Sequence, residues 1–393
     1  MLTQYDEYPV HQSPHPFSQI PSTDVSWDDG YYHAIWSADE GLFVHASMRV
    51  NPNMDVVAGS INLTVDGTQY TIRLSRVWRP NCDTRIGPYG YQFIEPFKTI
   101  RVFLEPNESP VSFDFNWIGT APAFLEDHHV VTWRQRRVID QSRYNQPGTG
   151  EGWIQVKGKR YNVNRKTWGG SRDHSWGLYE GRRPLANLKE YMPPGPPPSG
   201  RAMRFWTMFN LPNYSGFFGI HEDKDGVCRS FDDFLGTAFE GVIDYGWTGK
   251  RVALVGARHE LTFRPGTRML TGGKVFITDA EGGEWKQEFQ IGTLPFLFAP
   301  IGYWVGSWRD GGTMQTYHGE GPVLEWDEID ISKMPMDYQP PGQPPQKNAQ
   351  GHIYGARVKM TTPDGTVSEG MQHVTFWVEG DYHPYGFRAA AYP

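Results

Sequence analysis

The chemistry-bearing residues of this chain crowd into one short run, Trp168-Gly169-Gly170-Ser171-Arg172-Asp173-His174-Ser175-Trp176-Gly177. Acid, base, cation and indole stand side by side there. A carboxyl group withdrawn from water keeps its proton because burial disfavours the charged form, so it can deliver that proton near neutral pH. Indole and phenol faces stabilise positive charge developing on carbon by about 0.5–2 kcal/mol per ring when water is excluded. The run therefore reads as machinery for proton transfer to an apolar molecule, with Asp173 and His174 as candidate catalytic groups. Arg172 and Trp176 are the adjoining candidates for substrate binding. The competing reading is structural: an Asp-His pair satisfying buried backbone groups beside a core tryptophan.

Strand geometry complicates the assignment. Side chains alternate along a strand, so Arg172, His174 and Trp176 share one face while Asp173 and Ser175 share the other. The two preceding glycines would permit a bulge that re-aims the chain. On a regular strand, His174 becomes the acid–base group and Asp173 its orienting partner. A guanidinium near Asp173 would also weaken that carboxyl as a proton donor. Both assignments stand at this point.

Arg-Asp-His-Ser-Trp-Gly at 172–177 resembles the Asp-His-Asn-Trp-Gly signature of the hydroxyneurosporene synthase (carotenoid 1,2-hydratase) family, with Ser175 in place of Asn. It is also similar to a broader lipocalin-like superfamily containing AttH-like proteins and some fungal Diels–Alderases. The resemblance implies a pair of calycin-like β-domains with a ligand pocket inside one barrel or between the two. It also implies acid-driven chemistry on an apolar, often isoprenoid or polycyclic, molecule. The leading expectation is a cofactor-independent lyase, hydratase or isomerase acting on an aromatic, terpenoid or steroid-like substrate. The alternatives are a non-catalytic carrier of an apolar ligand and a pericyclase acting through pocket shape.

The elements that must position these groups are strands. The chain of 393 residues has 15 Trp, 20 Tyr and 22 Phe, and 44 Gly with 31 Pro supply its turns. Rings and β-branched side chains fit a pleated, half-buried surface, which favours strands over helices. The expected fold class is all-β, with two lipocalin-like antiparallel barrel or sandwich domains in tandem. From Gly41, Leu42, Val44, Ala46 and Met48 alternate with Phe43, His45, Ser47 and Arg49, so His45 faces the less aliphatic side as a further candidate substrate contact. Asp66-Gly67 marks a tight hairpin. The Pro-rich stretch Met192 to Gly200 cannot donate ladder hydrogen bonds. These features divide the chain into an irregular arm (1–30), a first β-domain (31–185), a linker (186–201) and a second β-domain (202–393).

Other polar clusters are weaker signals. Tyr317 and His318 are expected either to reach an interdomain pocket as substrate contacts or to lie on a surface hairpin, and Glu369, His373 and His383 call for the same caution. Glu126-Asp127-His128-His129 reads as a solvated loop and not a metal cluster, because adjacent histidines on a strand point apart. Asp223-Lys224-Asp225-Gly226 reads as a turn, since the downstream glutamate of a calcium loop is missing. No metal and no cofactor are expected. Motifs for serine hydrolases, nucleotide binding, zinc proteases and dinucleotide binding are missing.

Net charge is −7, and without a long basic run nucleic acid is not an expected partner. Cys82 and Cys228 lie too far apart for a disulfide framework or metal finger. They read as reduced thiols of a cytoplasmic protein, and the first thirty residues show no secretory pattern. The apolar stretch Thr293 to Trp304 is interrupted by Pro295, Pro300 and Gly302 and falls short of the ~20 residues a spanning helix needs. The expected partner is a hydrophobic small molecule, without membrane insertion; a homodimer is compatible with the sequence but not specified by it.

Overall fold

A computed structural model describes residues 7, 13–179, 198–233, 236–340 and 342–389. Most of the expected linker lies outside the described residues. The first series of strands is β1 (Trp27–Ser37), β2 (Leu42–Asn51), β3 (Val56–Val65), β4 (Thr68–Val77), β5 (Arg85–Ile86), β6 (Tyr89–Glu95), β7 (Thr99–Leu104), β8 (Val111–Gly119), β9 (Phe124–Leu125), β10 (His129–Trp133), β11 (Arg136–Val156), β12 (Lys159–Val163) and β13 (Gly169–Tyr179). The second is β14 (Met203–Asn210), β15 (Ser215–Glu222), β16 (Phe239–Asp244), β17 (Arg251–Phe263), β18 (Leu270–Asp279), β19 (Glu284–Ile291), β20 (Val323–Asp330), β21 (Met336–Tyr338), β22 (Gln346–Ala349), β23 (Ile353–Thr361) and β24 (Val367–Val378). The fold is all-β, and the described residues contain no α-helix.

The first series builds a half-barrel ordered β20-β4-β3-β2-β1-β13-β11-β8-β7-β6-β5, with β9, β10 and β12 added along β11. One of its faces packs Leu42, Val44, Ala46 and Met48 against Ile61, Ile72, Phe113 and Phe115. The alternation read in Gly41–Arg49 thus corresponds to two chemically distinct faces. Asp66 and Gly67 have φ of 49° and 77°, the positive pair that a two-residue turn of this hand requires, and Val65 pairs with Thr68 across it.

The second series forms a closed barrel, β14-β15-β16-β17-β18-β19-β23-β24. Its lumen is filled by rings and aliphatics including Phe205, Phe218, Phe289 and Phe376. The last two strands close it, with β24 returning to β14.

Two departures from the sequence reading have electrostatic causes. The arm expected to run to residue 30 gives way at Trp27 to a strand paired on both sides, with β2 and β13. Asp28 is buried there, paired with Arg49 at 2.6 Å. Further on, β20 leaves the second half of the chain and joins β4 of the first sheet. The Arg73 side chain is fully buried and its two carboxylate partners, Glu325 and Asp327, both lie on β20. A buried guanidinium stripped of its partners costs several kcal/mol, which ties this strand to that edge.

The apolar stretch after β19 also finds its place. Phe296, Leu297 and Ile301 are buried between the two halves, where each ring or branched side chain contributes on the order of 1.5–3 kcal/mol. No helix among the described residues is long and apolar enough to cross a membrane.

Candidate active site between the two halves

β13 decides how the Arg172–Gly177 run is displayed. Its pairing with β1 and with β11 continues from Gly170 to Leu178 with no register shift, so the bulge that its glycines would permit does not form. Gly169 serves a different purpose. A Cβ there would lie 2.4 Å from Trp36, and a Cβ on Gly355 of β23 would lie 2.3 Å from the same indole. Trp36 is therefore slotted between two glycines, one from each half, and is fully buried.

A regular strand separates the expected cluster. Asp173 opposes Tyr32 on β1 and Asn145 on β11, and directly opposed residues share a face. That face meets the second barrel, because the Tyr32 hydroxyl is 2.9 Å from Nε2 of His373 on β24. Arg172, His174 and Trp176 project to the other face. Asp173 and His174 therefore cannot act on one atom.

The interface around Asp173 combines rings, neutral imidazoles and one cation. His45 stacks on Phe296 with ring centroids 5.2 Å apart, His352 stacks on Phe298 at 4.3 Å, and His373 meets Trp206 edge-on at 5.3 Å. Burial pushes the His45 imidazole down to about 3. Burial, reinforced by Arg204, does the same for His352 and His373. All three are neutral at pH 7. Burial, and then Arg143, lowers the Arg204 guanidinium to about 9, and its Nε has no hydrogen-bond partner. Burial holds the Tyr32 phenol protonated. Asp173, Arg204, Tyr303 and His352 all keep part of their surface accessible.

A chain of hydrogen bonds sets the tautomer of His45. Gln69 is anchored to the Leu297 backbone, accepting from its N–H at 2.7 Å and donating to its carbonyl at 3.2 Å. It also donates to the Thr71 hydroxyl at 2.8 Å, so Thr71 donates onward to Asn62 Oδ1 at 2.8 Å. That orients the Asn62 amide so that Nδ2 donates to His45 Nδ1 at 2.9 Å. The proton of the neutral ring then lies on Nε2, which faces the Tyr303 hydroxyl at 3.4 Å. Asn62, Thr71 and Gln69 carry no motif that sequence reading could have caught; only the i, i+2 spacing of Gln69 and Thr71 hinted at a shared face.

On the far side of β13, His174 is clamped by Asp29 Oδ1 at 2.6 Å on Nε2 and by the Tyr144 hydroxyl at 3.1 Å on Nδ1. Tyr31 lies 4.3 Å from its ring and Trp176 5.2 Å. Asp29 and Tyr144, neither singled out by the sequence, complete its environment. Arg172 donates from Nε to Gln146 at 2.9 Å.

Other expectations resolve by contact. Tyr317 is exposed at 52%. His318 stacks on Trp308 at 3.9 Å and is tied to Asp310 and to the Thr313 carbonyl, so neither joins the Asp173 face. His373, expected no more at a pocket than on a surface hairpin, is fully buried at the interface. Glu126 and His129 correct the solvated-loop expectation. They are buried 3.1 Å apart, and Asn145 and Trp206 donate to the Glu126 carboxylate. Burial opposes its charge, but Arg143, His129 and Asn145 outweigh it and hold the carboxyl at about 2. No group of three or more potential ligands suited to a metal occurs among the described residues. Asp223 closes the expected turn by accepting from the amides of Asp225 and Val227.

Residues 2–339 match a family of unknown function (DUF8625), and the chain belongs to that family. No curated protein matches the sequence. Among solved structures, the chain is similar to CghA with Sch210972, at a TM-score of 0.48 and 9% identity over 90% of this chain and 88% of that one. It is also similar to kievitone hydratase from Nectria haematococca, at a TM-score of 0.42 and 11% identity over 96% of each chain.

Proposed function

We propose that this member of the family is an acid–base enzyme of the lyase or isomerase class that acts on an apolar small molecule held between its two halves. One observation carries the reading: the unbroken register of β13, which turns Asp173 toward Tyr32 and the second barrel. In a hydration, the Asp173 carboxyl transfers its proton to an alkene carbon, and the π electrons of that double bond form the new C–H bond. Water then bonds to the cationic carbon and returns a proton to the carboxylate. Tyr32 offers its ring to the developing positive charge, a contribution on the order of 0.5–2 kcal/mol. Arg204, without a hydrogen bond on Nε, is suited to hold an oxygen substituent of the substrate. The neutral imidazoles of His45, His352 and His373 add polarity without competing for the proton. Dehydration is the same sequence reversed, and isomerisation returns the proton to a different carbon.

The test begins with native mass spectrometry of freshly purified protein to identify a co-purified apolar compound, which is then offered back and followed for turnover. Asp173→Asn is expected to lose about 10²–10⁴-fold in rate, with binding of the compound retained. Full turnover in that variant refutes Asp173 as the proton carrier. Binding with no turnover by the wild type points to a carrier instead.

A further inference from the structure

Most of the buried guanidinium groups among the described residues meet carboxylates, and Arg268 is held by three backbone carbonyls. Arg49, Arg73, Arg76, Arg143 and Arg201 each form an ion pair with an Asp or Glu, as the cost of an isolated buried charge requires. Arg172 does not. It is 2% exposed, its Nε meets only the neutral Gln146 carboxamide, and its guanidinium lies over the rings of Trp117, Tyr144 and Phe97 at 5.1–5.4 Å. No carboxylate pairs with it among the described residues.

A second orphan stands beside it. His33 opposes Arg172 across the β1–β13 ladder, is fully buried, and has no hydrogen bond on either ring nitrogen. A buried polar group left unsatisfied in this way calls for a partner beyond the chain, whether an ordered water, an ion or a ligand. Both project from the face of β13 opposite Asp173. Toward solvent, the same face continues into His174, whose imidazole is 17% exposed, and into the half-buried rings of Tyr31, Tyr144 and Trp176.

We propose that this face of the first half-barrel is a second ligand site, independent of the interface, that takes an aromatic monocarboxylate. The carboxylate pairs with Arg172, whose planar fork matches two oxygens, and accepts an N–H from His33. The flat body lies against Tyr31, Tyr144 and Trp176, and the clamped His174 faces its ring substituents. Burial, and then Arg172 and His174, keep His33 neutral, so it supplies a donor without a second charge.

Calorimetric titration of the full chain with cinnamate, against the uncharged cinnamamide, tests the assignment. Saturable binding of cinnamate at least tenfold tighter than the amide is expected, lost at least tenfold in Arg172→Met and retained in Arg204→Met and Asp173→Asn. Equal binding of acid and amide, no saturable binding of cinnamate, or loss in Arg204→Met with retention in Arg172→Met overturns it. If Arg172→Met does not fold, ¹⁵N-histidine spectra of the wild type decide: saturating cinnamate is expected to shift His33 and His174 while leaving His45 and His373 in place, and the opposite pattern overturns the site. Failure here leaves the interface proposal standing, because the two rest on opposite faces of β13.

Discussion

Replacing Asn62 with Asp should convert His45 from a permanently neutral ring into one that titrates near neutrality. In the wild type, Nδ1 accepts from the Asn62 amide at 2.9 Å and burial holds the imidazole at about 3. Aspartate fits the same volume and still accepts from Thr71, but it presents a carboxylate where an amide donor stood. Opposite charges about 4 Å apart at an effective dielectric near 20 attract by about 4 kcal/mol, worth roughly three pH units at ~1.36 kcal/mol per unit. The His45 pKa should therefore rise to about 6, with Nδ1 now carrying a proton toward the carboxylate. The assay is a ¹⁵N-histidine NMR titration, in which the two ring nitrogens report tautomer and charge. The sign for stability follows. A wild-type His45 with a depressed pKa costs stability as the pH falls below the unfolded value near 6.5, because the unfolded chain takes up a proton the native ring refuses. That penalty should shrink in Asn62→Asp. A ring that stays neutral and Nε2-protonated down to pH 4.5 in the variant would refute the relay from Gln69 to His45.

Three further outcomes are expected. Glu240 is raised to about 8 by burial, and then by Glu126 and Asp127, so the native state holds a proton that the unfolded chain releases from about 4.5 upward; Glu240→Gln should be relatively more stable at pH 8 than at pH 5 in urea unfolding, and a pH-independent difference contradicts this. Gly355→Ala forces a methyl to 2.3 Å from the buried Trp36 and should cost about 1–3 kcal/mol, read as a lower urea midpoint; an unchanged midpoint means the indole moves freely. His318→Ala removes the contacts with Asp310, Thr313 and Trp308 and should cost about 1–2 kcal/mol, while turnover per folded molecule stays at the wild-type level; a selective loss of turnover would return His318 to the active site.

Composition and period were enough to specify the all-β class, because ring-rich, glycine- and proline-punctuated sequence has few other ways to bury itself. The Asp66-Gly67 hairpin and the two faces of Leu42–Arg49 were equally legible, since turn chemistry and period-two alternation are local. What alternation left open was whether a bulge would unite Asp173 and His174. Pairing on both sides of β13 answered that: a strand clasped between β1 and β11 keeps its register, and its glycines make room for Trp36 and Trp117. Beyond His45 and His373, which the sequence singles out, the partners of the site were invisible for a related reason. Asn62, Arg204 and Asp29 stand from tens to more than a hundred residues from Asp173 and carry no motif, and only the packing of strands far apart in sequence gives them a common face or sets them apart. β20 crossed into the first sheet because the charges that satisfy Arg73 lie on it, a long-range electrostatic demand that no local pattern records.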